Sequence, residues 1–164
     1  MTLEKIKTNA MRILDKAQIK YNSYSYDHSD GLIDGVSVAD KMGLPVERVY
    51  KTLVTKGASR EYYVFVIPVA EELDLKAAAR AVGEKSVEMI KVADINKVTA
   101  YIRGGCSPIG MKKNYKTVLD SSWEGLDTIT VSAGKIGYQI ELAPLDLIKL
   151  INCTTADIVV QRDL

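Results

Sequence analysis

Lys51 is the residue whose type and setting first suggest chemistry. It stands in the stretch 49–54, Val-Tyr-Lys-Thr-Leu-Val, where β-branched and aromatic residues without an internal breaker predict a strand. Side chains on a strand alternate between faces, so Tyr50, Thr52 and Val54 share one face while Lys51, Leu53 and Thr55 share the other. A lysine on a face with leucine is a candidate for partial burial. A buried ammonium needs an anion or an acceptor beside it, and a ligand phosphate or an ester carbonyl is one candidate. An exposed strand lysine, its stem on apolar surface and its head in water, is the commoner case. A second candidate is the loop 103–110, Arg-Gly-Gly-Cys-Ser-Pro-Ile-Gly, with three glycines and a proline in eight residues. Gly104 and Gly105 can take positive φ and let a ligand approach backbone N–H groups. The loop is neither a Walker loop, lacking Gly-Lys-Ser/Thr, nor the dinucleotide fingerprint. A plain tight turn is the more frequent use of such a stretch. The later turn 132–137, Ser-Ala-Gly-Lys-Ile-Gly, is a weaker signal, because hairpins need glycine anyway.

Other reagents are scarce. His28 is the one histidine, so a triad or a multi-histidine metal site would have to be built around it or not at all. Cys106, beside glycines and near Arg103, has the setting in which a thiol pKa can be depressed, but no base stands near it in sequence, and small loop packing is the commoner role. With Cys153 it makes two cysteines without metal spacing, which reads as reduced thiols in a cytoplasmic protein. No metal and no cofactor is expected.

The elements that must position these residues follow from periodicity. Leu3, Ile6, Ala10, Ile13 and Ala17 predict a helix over 3–18, capped by Thr2. Alternation at Tyr24 and Tyr26 predicts a strand over 21–26, ending in loop residues 27–31. Ser37 is read as the cap of a helix through Met42 that stops at Gly43, and Pro45 as the opening of a short turn through Arg48. The Lys51 strand and a strand over 61–67 form a hairpin, the second strand apolar enough to be buried on both faces. Asp74 caps a helix over 75–82 that stops at Gly83. Residues 84–98 are read as one or two short helices with Asp94 as a cap, and 101–102 as a brief strand. Strands follow at 116–119, 128–131 and 138–142, the last two as a hairpin. Pro144 opens a helix over 145–151, and the tail from Cys153 supplies one more short element.

This order predicts an α+β fold. Its sheet is curved, mixed but mostly antiparallel, with barrel-like character, and helices flank it. The 164 residues suit one domain over 1–164. The net charge of +1 argues against a protein that coats DNA or other nucleic acid nonspecifically. Arg103, Lys112, Lys113 and Lys116 form a local basic run, usually a solvated loop. The apolar runs are too short for a membrane span, and the start Met-Thr-Leu-Glu-Lys-Ile-Lys does not read as a signal peptide, so neither membrane nor export is expected.

Tyr26-Asp-His28, Val49-Tyr-Lys-Thr-Leu53, Val69-Ala with Leu73-Asp-Leu-Lys76, Gly104-Gly-Cys-Ser-Pro-Ile-Gly110, Val131-Ser-Ala-Gly-Lys135 and Ile140-Glu-Leu142 occur in this order. As a set, over nearly the whole chain, they resemble the YbaK/EbsC family of free-standing aminoacyl-tRNA deacylases. The resemblance implies hydrolysis, in trans, of the ester in mischarged Cys-tRNA(Pro), without a metal. It implies Lys51 as the essential lysine and Gly104 and Gly105 as part of the catalytic loop. It assigns Tyr26, His28, Thr52, Ser107, Pro108, Gly110 and Ser132 to substrate binding. The 3′ end of an aminoacyl-tRNA is the implied ligand and prolyl-tRNA synthetase the implied partner. In several relatives the substrate's own thiol is thought to attack the ester, which agrees with the missing triad. Two positions depart from the family pattern. Gln139 stands where many relatives carry Asp, and Cys106 stands where relatives vary. Two alternatives stay open: a non-catalytic module that binds a tRNA end or a protein, and a small-molecule hydrolase using Cys106.

Overall fold

Residues 6–161 are described in the structure, a computed structural model. Helix α1 runs over Asn9–Lys16, and Thr8 caps it, its hydroxyl accepting from the Met11 N–H at 3.2 Å. The expected helix over 3–18 is therefore shorter: Ile6 to Thr8 are not helical, and the expected cap Thr2 and Leu3 lie outside the described residues. Strand β1 is Asn22–Ser25. Helix α2, Gly35–Met42, starts earlier than expected because the Asp34 carboxylate takes both the N–H and the hydroxyl of Ser37. Ser37 thus donates to the cap rather than forming it, since the helix starts at Gly35 and puts Asp34 at the N-cap position. Gly43 ends the helix at φ 69°, the left-handed stop its sequence predicts.

Strands β2 (Tyr50–Gly57) and β3 (Tyr62–Pro68) form the expected hairpin, paired from Tyr50↔Pro68 to Lys56↔Tyr62. Helix α3, Leu75–Val82, has Asp74 accepting from the N–H groups of Lys76 and Ala77, and Gly83 closes it at φ 74°. The next segment departs from expectation. Residues 87–89 form strand β4, Val87–Met89, which pairs with the end of β2, before a 3₁₀ turn and the short helix α4, Ile95–Thr99. Asp94 precedes α4 but makes no side-chain cap. Residues 101–102 are not a strand: the Tyr101 hydroxyl instead reaches across the glycine loop to the Ile109 carbonyl at 2.5 Å. Then come β5 (Lys116–Asp120), β6 (Ile129–Ser132), β7 (Tyr138–Leu142), α5 (Pro144–Ile151) and β8 (Thr154–Ala156).

The strands assemble into two sheets, one ordered β1-β7-β6 and antiparallel throughout, the other ordered β4-β2-β3-β5-β8. In the larger sheet β4, β2 and β3 are antiparallel, while β3–β5 and β5–β8 are parallel. A parallel bridge, Val49↔Thr130, links the start of β2 to β6 without closing the whole into a barrel. The expected α+β class and mostly antiparallel pairing hold. Strand β3 is the central wall. Val64 and Val66 face the core shared with α1, α5 and the smaller sheet, while Phe65 and Ile67 face the core under α3. Burying such side chains stabilises by about 1.5–3 kcal/mol each, which is why this run carries no polar face. Among the described residues no helix is long and apolar enough to cross a membrane.

Candidate active site

The sheet topology leaves one stretch of β2 open. Strand β4 covers only residues 55–57, and Val49 is taken by Thr130. Between those two attachments the outer edge of residues 51–53 faces a cleft where the two sheets part. The cleft has an outer chamber of about 450 Å³ and an inner one of about 110 Å³. Lys51, Thr52, Gly104, Cys106, Ile33 and Gly35 line both.

Lys51 is half-buried. Burial pulls its pKa below the ordinary lysine value, and the nearby Glu72 and Glu71 carboxylates pull in the opposite direction. It lies opposite Ile67 and on the same face as Leu53 and Phe65, so its stem is packed and its ammonium is held at the cleft. Arg103 adds a second cation to the outer chamber. The Asp34 carboxylate there already caps α2, and its bonds to Ser37 hold its pKa down. Exposed Val36, Met89 and Val92 also line the outer chamber, giving it an apolar lip. Such a lip with two cations suits a ligand that combines an anionic backbone with an apolar face.

The glycine loop meets the cleft through Gly104. Its φ is +84°, and a Cβ there would come within 2.7 Å of Ile33 Cδ1, so conformation and space both call for glycine. Gly105 donates its N–H to the Ile102 carbonyl at 3.0 Å and packs against the backbone of Lys135 and Ile136. Ser107 is buried, its hydroxyl accepting from the Ile109 N–H at 3.2 Å. Pro108 and Gly110 line a different hollow, beside Ile13 of α1 and Leu150 of α5. Ser132 lines the inner chamber, and its Oγ accepts from the Gly134 N–H at 3.1 Å. Tyr26 is buried, meeting His28 edge-on with ring centroids 6.4 Å apart. The exposed His28 lies against Gly137. The structure thus brings Lys51, Thr52, Gly104 and Ser132 to one cleft. Gly105, Ser107, Pro108, Gly110, Tyr26 and His28 stand outside its lining.

Cys106 is in the cleft, but burial pushes its thiol up to about 11, so it is protonated at neutral pH. The sequence marks Gln139 only as a departure from the family's Asp and not as a site residue. It lines the inner chamber, and among the described residues its buried Oε1 has no partner, as is also true of Thr52 Oγ1. Alternation on β7 marks 139 only as a polar position, and what covers that face is visible only when β2 is placed across it.

Comparison with known proteins follows the same residues. The aminoacyl-tRNA editing domain model matches residues 34–150, most of the chain, including Lys51, the glycine loop and Ser132. The chain belongs to the aminoacyl-tRNA editing domain family. It is 46 % identical, over 93 % of both chains, to an Enterococcus faecalis protein that bears the name "Putative Cys-tRNA(Pro)/Cys-tRNA(Cys) deacylase EbsC". It is 26 % identical to a proline–tRNA ligase of Fervidobacterium nodosum, over 77 % of this chain and 21 % of the ligase. Among solved structures, the one described as "a putative trans-editing enzyme for prolyl tRNA synthetase" aligns with TM-score 0.79 at 21 % identity, over 95 % of this chain and all of that one. The hypothetical protein APE2540 aligns with TM-score 0.82 at 17 % identity, over 91 % and 97 %. At such identities these two show a shared fold. Tyr26 and His28 precede the span matched by the family model.

Proposed function

We propose that this chain is an aminoacyl-tRNA deacylase that hydrolyses the ester of Cys-tRNA(Pro) in trans, in the cytoplasm, as one editing unit over 1–164. The observation that carries the reading is the half-buried Lys51 at the open edge of β2, beside Gly104 and the unpartnered Thr52 hydroxyl. Membership of the editing-domain family and the deacylase name of the 46 % identical relative support it.

The 3′-terminal aminoacyl ester enters between the sheets. Lys51 meets the ester carbonyl or the adjacent phosphate as a point charge. As attack proceeds the carbonyl oxygen becomes an oxyanion, and a fixed cation in a partly desolvated cleft stabilises it more than water does. Gly104 keeps the wall bare enough for the backbone to approach. Thr52 and Ser132 hold the aminoacyl group. The attacking group is the substrate thiol or a positioned water, since the buried, protonated Cys106 makes a poor nucleophile. A single-stranded end needs few basic residues, so a net charge of +1 is compatible with tRNA as ligand. Prolyl-tRNA synthetase, the enzyme that one relative is named for, is the partner that would deliver the tRNA.

The test is single-turnover deacylation of Cys-tRNA(Pro), Ala-tRNA(Pro) and Cys-tRNA(Cys) by wild type and Lys51→Ala. Loss of cysteine that depends on Lys51 supports the reading. Cleavage of the alanyl ester at an equal rate assigns attack to water and a broader editor. Absence of all cleavage leaves a module that binds without turnover.

A further inference from the structure

The inner chamber holds polar atoms that the fold does not use. Gln139 is 7 % exposed, and its Oε1 is buried without a hydrogen-bond partner among the described residues. Thr52 Oγ1 is buried and unpartnered too. Both line the chamber with Ser132, whose Oγ accepts one hydrogen bond from Gly134 and keeps a second lone pair. Ser132 and Gln139 lie opposite each other across β6 and β7, and β2 brings Thr52 from the other sheet. Buried acceptors left empty are uncommon, because they give up hydration with nothing in return. Three acceptor oxygens from three strands, on a chamber of about 110 Å³, match a small group with three N–H donors. A thiol offers one weak donor and a weak acceptor, so it meets these oxygens less fully than an ammonium does.

We infer that the inner chamber seats the α-ammonium of the bound aminoacyl group, with Gln139 Oε1 as the acceptor that makes a free amino group a requirement of binding. The inference rests on the deacylase reading and names the part of the substrate that the chamber recognises. Ile33, Val38 and Val49 form the apolar part of the chamber wall and restrict the room left for the side chain. Aminoacyl esters whose nitrogen is blocked or absent are then poor ligands, whatever their side chain.

The experiment uses two amide-linked probes that cannot be hydrolysed, 3′-cysteinylamino-3′-deoxyadenosine and its desamino counterpart, the 3-mercaptopropanoyl amide. Their affinities are measured by calorimetry on wild type, Gln139→Met and Thr52→Val. Wild type is expected to favour the amino form by about tenfold or more, the range of a hydrogen bond to a charged group. That preference is expected to fall toward unity in Gln139→Met, a variant of the same length without the acceptor. The melting temperature holds or rises, because an apolar atom replaces an unsatisfied one. Should Gln139→Met not fold, the preference must fall in Thr52→Val. An unchanged preference in the variants, or a wild type that binds both probes alike or neither, overturns the inference. Turnover is measured apart on Cys-tRNA(Pro). A wild type that prefers the amino probe but leaves the ester intact keeps the inference and removes the hydrolase.

Discussion

At Lys51 burial and function oppose each other. Its pKa is lowered in the folded chain, so the ammonium is less at ease there than in the unfolded chain. The sign follows: between the folded and unfolded values the unfolded chain binds the extra proton, so the residue costs stability at neutral pH and that cost fades as pH rises through this window. Lys51→Met is expected to melt higher than wild type in a thermal scan while losing activity. Lys51→Ala is expected to slow single-turnover deacylation roughly 10²–10³-fold, the range for removing one electrostatic stabiliser of an oxyanion. Since the charged form works, the rate falls as pH rises through the lowered pKa, and the alkaline limb comes below the ordinary lysine value of 10.5. Cys106 should rank the other way. With its thiol near 11, iodoacetamide labels it slowly at neutral pH, and Cys106→Ala keeps far more activity than Lys51→Ala. The reverse ranking would transfer the chemistry to the cysteine.

Two short elements hold the cleft open. The Lys41 ammonium donates to the Asp27 and Leu32 carbonyls and to Asp30 Oδ1, which ties the 27–32 loop to α2 and steadies Ile33 beside Gly104. Gly104→Ala would force a Cβ onto Ile33 in a left-handed backbone, costing about 1–2 kcal/mol for the conformation alone. The expected result is a lower denaturant midpoint together with reduced deacylation, because Ile33 lines both chambers. Helix α3 lies away from that cleft. Asp74→Ala removes the cap and should lower stability by about 0.5–2 kcal/mol in urea melts, with turnover per folded molecule retained. The caps at Asp74 and Gly83 were legible in sequence because capping is local. Asp34 in place of Ser37 was not, since both residues are good caps and only the helix start decides between them.

The molecule has two cores that share one wall. Phe65→Ala empties the core under α3 and Ile140→Ala the core under the smaller sheet, each fully buried. Losses of about 3–5 and 2–5 kcal/mol are expected. Both variants should still unfold in one transition by circular dichroism, because β3 and β5 contribute to both cores and neither can melt alone. Among the described residues no group of three His, Cys, Asp or Glu could hold a metal ion.

What the sequence by itself determined is local or periodic: the β2–β3 and β6–β7 hairpins, the buried run of β3, the helix over 75–82 with both its ends, and an ordered set of motifs that marks the family. Strand β4 was not legible because three residues carry too little periodicity, and its partner lies some thirty residues away on β2. The same limit applies to the site. Sequence names Lys51, Thr52, Gly104 and Ser132, but it cannot say that the Gly105 amide is already bonded, or that Pro108 and Gly110 face another hollow. Nor can it say that Gln139 looks into the chamber with an empty acceptor. Those facts depend on which atoms are left without partners once two sheets, joined at Val49 and Thr130, have parted around the edge of β2.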